Sequence, residues 1–584
     1  MKQLSNVLTV DLSKRKFFFE DRSDLFYNYL GGSGVGIKLL EENCPVDADP
    51  LGPDNPIIFA VGPFVGLFPL ASKTVSMFKS PLTGNLGESH AGGRSAIAMR
   101  SANIGALVIK GTSSTPIYLS ISDGQVRFKD ASAIWGIMNS VTVGRIVREL
   151  ETGSGVRTIM RIGGAGERMV KYACVTTETY RHFGRLGLGA VFGSKKLKAI
   201  CISGTHSVDA SNPAEYRNMY DDIFHKAVNS PIMKKYHDYG TAANIMPLNM
   251  IKGLPRENLA YTQSDEAENI SGEELAEHHL GRRVACAHCP VACIHIAALR
   301  VPYEKELFFY KTLMIPYDYE LIYALGSMVG VFDLEGMLKL IDEVETFGLD
   351  AMSTGVVLAW ATEAQMKNLV TKEDTLGLSF KWGDYETYIT AIANIVKQPN
   401  EFYRYLAMGV EAASAHYGGE DYALAFGSNE MPGYHTGPVT IASYLVGSRH
   451  SHLDAAGYSI DQSILKGSKI SIDEAVSNLL NEEAWRQILS SLVVCFFARG
   501  IYDRDTVINS LKIAGIKITN EELDRLGHEI LALKNSFKKR HGFDPEKLRI
   551  PRRVFETESS RGPVAEDEIR YAISKYFSLL ENHD

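Results

Sequence analysis

The chain has 584 residues, 45% hydrophobic and 22% charged, with a formal net charge of −8 at pH 7. These are globular proportions, enough for about three or four domains with a large core. The acidic balance argues against nucleic acid as a partner, and no apolar run approaches the roughly 20 residues of a membrane span.

The basic stretch 534–553 reads as a solvated helix end. Residues 1–16 lack the apolar core of a secretory signal, which together with reduced thiols predicts a cytoplasmic location.

Up to about residue 207 the pattern is strand-like. Leu8, Val10 and Leu12 alternate, and 57–61 and 106–109 are short apolar runs. Ile117, Leu119 and Ile121 alternate into Asp123-Gly124, and Val126 and Phe128 continue beyond it, which predicts a hairpin. Cys201, in the apolar run 199–202, reads as a buried inert thiol. The glycine-rich run 184–190 looks like a dinucleotide loop. That reading needs a strand immediately before it and an acid after the next strand; 176–181 is polar and no such acid follows. Arg181 and Arg185 beside these glycines instead favour an anion, such as a phosphorylated cofactor that is not a nicotinamide.

From about Asn212 the periodicity becomes helical. Asp333 is placed to cap a helix with Met337, Ile341 and Val344 on one face and Gly348 at its end. Ser471 and Glu474 form a capping-box pattern opening a second helix, which passes Trp485, Ile488, Leu489 and Leu492 and delivers Cys495. No repeat or Pro-rich linker interrupts the chain, so its domains are expected to pack tightly together.

Cys286, Cys289 and Cys293 share one tight loop, with Pro290 directly after a cysteine. Iron–sulfur centres are held by sets of four thiolates with such short spacings, and Cys495 would be the fourth. Zinc is one alternative, with His288 or His295 recruited as nitrogen ligands, although only one short knuckle exists, and thiols that bind no metal are the other. Cys44, Cys174 and Cys201 are scattered.

Beyond these patterns the chain resembles the aldehyde:ferredoxin oxidoreductase family of tungsten (or molybdenum) bis-pterin enzymes over nearly its whole length. The resemblance rests on Leu30-Gly31-Gly32, Gly62-Pro63, the 79–84 motif KSPLTG, Gly92-Gly93, the 162–167 motif IGGAGE and the glycine-rich loop running into 193–200. Gly240-Thr241, the cysteine loop, Gly348-Leu349-Asp350, Ser353-Thr354-Gly355 and Cys495 complete it.

The resemblance implies an α+β fold: a β-sheet-rich N-terminal domain (1–207) as a base for two pterins, then two mainly α-helical domains (208–415 and 416–584). It implies one [4Fe–4S] cluster on Cys286, Cys289, Cys293 and Cys495. Pterin contacts, including a phosphate-bridging Mg2+, would fall on His90, Gly92, Gly93, Arg181, His182, Phe183, Gly184, Arg185, Glu345, Gly348, Leu349, Asp350, Asp454, Ser490 and Val494. It implies Glu320 and His452 as catalytic groups, with His450 the alternative histidine. The expected chemistry is oxidation of a small aldehyde with water to a carboxylic acid. Electrons would pass to ferredoxin or a small iron–sulfur subunit.

The sequence departs from the family pattern in three places. Lys73 stands where an arginine commonly bridges cluster and pterin, which keeps the charge and loses the planar fork. The second pterin motif, 490–495, lacks its acid and its glycine. Lys339 and Asp342 replace the Glu-x-x-His pair that holds an iron between subunits, so an iron-bridged homodimer is not expected. Two alternative readings remain: a catalytic subunit of a larger complex acting on acyl or aromatic substrates, and a pterin-free iron–sulfur or zinc protein.

Overall fold

A computed structural model describes residues 4–581 other than 179, 209, 211 and 304–307. The first sheet comprises β1 (Asn6–Asp11), β2 (Lys16–Asp21), β3 (Ile57–Ala60), β4 (Thr74–Lys79), β5 (Leu86–Ala91) and β6 (Ala106–Lys110), in the order β2-β1-β6-β3-β4-β5. The second comprises β7 (Ile117–Ser122), β8 (Gln125–Asp130), β9 (Val156–Arg161), β10 (Val175–Thr177), β11 (Arg181–Phe183) and β12 (Leu197–Gly204), in the order β11-β10-β9-β12-β7-β8. Phe59 of the first sheet meets Phe183 of the second edge-on at 5.2 Å, tying the two layers together. The expected hairpin forms between β7 and β8, with positive φ at both Asp123 (52°) and Gly124 (70°), as a tight two-residue turn requires.

After β12 the chain turns helical, starting with Pro213–Asn229, whose first amides bond to the Asn212 side chain. Leu334–Phe347 forms as predicted: the Asp333 carboxylate accepts from the Gly336 amide, and Gly348 closes the helix at φ 74°. Ser471 caps Ile472–Ser491 by accepting from the Glu474 amide. The helical pattern did not foretell a three-stranded antiparallel sheet, β13 (Leu280–Val284), β14 (Ile294–Pro302) and β15 (Tyr310–Tyr317). β13 contributes the exposed run Gly281-Arg282-Arg283, so its sequence shows no alternation of apolar and polar residues. The cysteine loop connects β13 to β14.

Packing gathers into two large cores that do not follow chain order. One joins both six-stranded sheets to residues 488–537, including Ile488, Leu492, Leu523 and Phe537. The other joins Ala242, Leu340, Trp360 and Leu445 to Phe577 and Leu580 near the C-terminus. Among the described residues no single helix is long and apolar enough to cross a membrane. The helical stretches Tyr319–Val329 and Leu334–Phe347 pass that test jointly, but they break by 116° and bury their apolar residues in the core.

Candidate functional site

Four chain segments are laced together around the thiols. The Leu70 amide donates to the His288 carbonyl at 3.0 Å, and the Cys495 amide donates to the Leu70 carbonyl at 2.9 Å. The Ala287 amide donates to the Gly93 carbonyl at 2.9 Å, and the Lys73 amide donates to the Val493 carbonyl at 3.2 Å. A Cβ at Gly92 would lie 2.7 Å from Cys286 Sγ and 3.6 Å from Lys73 Nζ, so glycine there lets the backbone reach the thiol. Cys495 therefore does come to the Cys286–Cys293 loop.

The thiols act on one another. Burial pushes Cys289 up to about 12, with the charges of Cys286, Cys293 and Cys495 adding to the rise. Burial pushes Cys293 up to about 11, and Arg181 and Lys73 counter part of that. Burial works against the Arg181 charge, yet Cys286, Cys293, Asp318 and Cys495 outweigh it and hold the guanidinium protonated. Among the described residues no three His, Cys, Asp or Glu side chains close round a point that one ion would fill. His295 is turned to the His237 carbonyl (2.9 Å) and the Tyr317 hydroxyl (3.4 Å). Cys201 is buried in β12, and burial pushes it up to about 12, as befits an inert thiol.

The glycine pairs near the N-terminus are explained by the approach to Cys495. A Cβ on Gly32 would fall 2.0 Å from the Ser490 carbonyl oxygen, and one on Gly62 would fall 2.4 Å from that of Ser491. Where the resembling motif carries glycine, Val493 keeps the left-handed backbone at φ 58°. A β-branched residue there costs about 1–3 kcal/mol, held in place by its neighbours.

A cavity of about 340 Å³ lies between the sheet base and the helical cover. Of the residues expected at a cofactor, Lys73, His90, Arg181, His182, Gly184, Arg185, Glu345, Leu349, Asp350, Val494 and Cys495 line it, together with Glu320 and His452. Gly92, Gly93, Phe183, Gly348, Asp454 and Ser490 stand behind the wall. Phe183 is core, Gly348 ends its helix, and Ser490 meets Gly32. Asp454 accepts from Arg449 Nε at 2.6 Å and from the Arg449 and Ser451 amides, so it positions Arg449, which does line the cavity.

Base and cover are joined by polar side-chain contacts across this wall. His182 Nε2 lies 2.7 Å from Glu345 Oε2, and Arg185 Nε donates to Asp350 Oδ2 at 2.9 Å. The turn holding Leu349 and Asp350 is stitched to the base, with the Cys174 amide on the Gly348 carbonyl at 2.9 Å and the Asp350 amide on the Tyr172 carbonyl at 3.0 Å. The glycine-rich loop also differs from expectation. The polar run before it folds as the β10–β11 hairpin, so a strand does precede the glycines, and helix Leu188–Ser194 follows them. That strand is a sheet edge paired antiparallel, which is not a dinucleotide-binding crossover.

Glu320 stands in the first turn of helix Tyr319–Leu325, capped by Asp318. Burial, then repulsion from Asp318, raises its carboxyl to about 8. His452 opens helix His452–Ala455, and burial, then the Arg185 charge, lowers its imidazole to about 3. The two side chains touch, Nε2 to Oε1, at 3.1 Å. His450 points away, Nδ1 to the Tyr444 carbonyl (2.9 Å) and Nε2 to Lys538 Nζ (3.1 Å). Of the two histidines, His452 is the one that lines the cavity. Lys339 lies over the Tyr385 ring at 5.2 Å, and burial, then Glu345, raises Asp342 to about 6.

Several wall residues escaped the sequence reading. Asp318 is two positions from Glu320 in the same tetrad, yet a lone carboxylate has no spacing to betray it. Glu88 contacts cavity-lining His90 at 2.7 Å and pairs with Lys534, which comes from helix Asn520–Arg540; both charges are buried. Tyr434 stacks on Tyr458 at 4.6 Å beside His452.

A sheet base and a helical cover thus enclose a cavity rich in charged side chains, with Cys495 of the thiol group on its wall. The family follows from the sequence: residues 7–204 match the N-terminal domain of aldehyde ferredoxin oxidoreductase, and residues 218–581 match domains 2 and 3. The chain belongs to the aldehyde ferredoxin oxidoreductase family, a family of oxidoreductases.

It is 29% identical to the tungsten-containing aldehyde ferredoxin oxidoreductase of Thermococcus kodakarensis, over 98% of this chain and 95% of that one. It is 28% identical to the WOR-like subunit of an aliphatic sulfonate oxidoreductase of Pyrococcus furiosus, over 67% and 64%. The active-site complex BamBC of benzoyl coenzyme A reductase, solved with 1,5-dienoyl-CoA, shares the fold. Its TM-score is 0.84 at 20% identity, over 99% of this chain and 94% of that one.

Proposed function

We propose that this chain oxidises an aldehyde, with water, to a carboxylic acid, releasing two electrons and two protons. The observation that carries this reading is that a single cavity has Cys495 of the thiol quartet at one end and the Glu320–His452 contact on its wall.

The residues fit a bis-pterin. Arg181 Nε, Arg185 Nη1, Asn429 Oδ1 and His452 Nδ1 are buried cavity-lining atoms without a hydrogen-bond partner, and such atoms call for a polar occupant. Lys73, Arg181, Arg185 and Arg449 would balance pterin phosphates with their bridging Mg2+. Cys286, Cys289, Cys293 and Cys495 would hold a [4Fe–4S] cluster, since the four thiols lie near enough to act on one another and thiolate sets of four hold such centres. When bound, the tungsten-pterin centre supplies Lewis acidity and a two-electron acceptor.

The protein's own part is proton handling and orientation. Glu320 is poised near neutral pH and takes the proton from the attacking water. His452 stays neutral; once Glu320 has taken that proton its carboxyl can donate to Nε2, which leaves the Nδ1–H of the imidazole to donate to the carbonyl oxygen. The stacked Tyr434 and Tyr458 offer the aldehyde's side chain an aromatic wall.

Metal analysis of anaerobically purified protein, with EPR after dithionite reduction and an aldehyde assay using a dye acceptor, tests the proposal. Tungsten or molybdenum, a cluster signal and turnover are expected; absence of both heavy metals would overturn it. A second reading, a catalytic subunit of a complex acting on acyl or aromatic substrates, is favoured by Lys339, which by the sequence resemblance stands where the family's subunit-bridging pair falls and whose ammonium lies over the Tyr385 ring. Metal-loaded protein inert to simple aldehydes would select that reading.

A further inference from the structure

We infer that an arginine-rich surface beside the cysteine loop is the docking site for an acidic electron-carrier protein. The inference rests on the electron-transfer reading above and adds to it the place and charge of the partner.

Helix Ser140–Leu150 and β9 border a cavity of about 480 Å³ lined by Arg94, Arg145, Arg148 and Arg157, with Glu178 the acid among its lining residues and Arg161 buried beneath, its guanidinium on the Ser140 and Ile159 carbonyls. Arg94 pairs with Glu178 at 3.0 Å. Among the described residues neither Arg145 nor Arg148 has a carboxylate partner, and both are exposed. Arg282, exposed on β13 and four positions before Cys286, extends the basic rim, and both it and Arg145 bear on the Tyr180 hydroxyl. On a chain of net charge −8 this is a local reversal of sign.

Its position gives the reversal meaning. Arg94 follows Gly93, whose carbonyl accepts the Ala287 amide inside the cysteine loop. Tyr180 precedes Arg181, the guanidinium held among Cys286, Cys293 and Cys495. An acidic carrier seated here would come close to the thiol quartet. Opposed charge steers such a partner to the right face and speeds encounter. A one-electron acceptor would dock twice per aldehyde oxidised, leaving reduced each time.

The test uses the holoenzyme, an acidic clostridial-type ferredoxin, and the double variant R145E/R148E on the exposed helix face. Calorimetric titration at low salt should show binding weakened by about tenfold or more, together with loss of the wild type's salt dependence. Unchanged affinity and salt dependence would overturn the inference. Aldehyde oxidation with a small viologen dye, which needs no docking, should be unaltered by the variant. Dye-linked activity absent from the wild type would refute the aldehyde reading alone, because the titration requires no turnover. Weakened binding with an equal fall in dye-linked rate would mark a damaged fold and count against the docking site.

Discussion

His452 Nε2 rests 3.1 Å from Glu320 Oε1, bringing together the first turns of two helices on the wall of one cavity. Burial works on both groups in the same electrical sense: it holds the carboxyl protonated and the imidazole uncharged. The contact therefore joins two neutral groups at neutral pH, either of which can pass a proton.

Glu320→Gln preserves shape and removes the proton acceptor. It should keep iron and heavy-metal content while lowering kcat by about 10²–10⁴-fold. Metal analysis and dye-linked turnover on the same sample check this. A variant as active as wild type would remove Glu320 from the mechanism.

The pH profile follows from the direction of the shift. A base must be ionised to act, so kcat/KM should climb about tenfold per pH unit and level off near 8. The same shift has a stability consequence of opposite sign. Between about 4.5 and about 8 the native state retains a proton that the unfolded chain releases, so this group's contribution to stability falls as pH rises. Glu320→Gln should flatten both slopes; a profile flat from pH 6 to about 9 in the wild type would contradict the assignment.

Cys289→Ser should abolish the EPR signal of the reduced cluster and most of the bound iron. Cys201→Ser, in the buried centre of β12, should leave both intact. Equal iron in the two variants would exclude Cys289 as a ligand.

Lys534→Met leaves the buried Glu88 carboxylate without its cation. Breaking a buried pair costs about 3–5 kcal/mol, so the midpoint of chemical denaturation should drop markedly while the metal sites still load. An unchanged midpoint would mean that Glu88 finds neutralisation elsewhere.

The legible parts of this fold were those with local chemistry. The Asp333 cap, the Gly348 stop and the Asp123-Gly124 turn each place a particular residue type where backbone geometry demands it. The sheet base and helical cover were also visible, as a change from alternation to helical periodicity near residue 207. Hidden parts depended on long-range contact. β13 has arginines on an exposed edge and no alternation, and the β10–β11 hairpin is only a few residues long and polar. Glu88, Asp318 and Lys534 gain their meaning from partners remote in sequence.

The core shared by the N-terminal sheets and residues 488–537 has a consequence for biosynthesis. While the ribosome is still working, the emerging base lacks the helices that cover it, and Cys286, Cys289 and Cys293 wait for a fourth thiol coded much later. Domains elsewhere can mature one at a time as they leave the exit tunnel. Here the thiol quartet can be completed only after residue 495 has been made, so any inorganic cargo held by all four thiols has to be delivered after the sheet base and the cysteine loop are already in place.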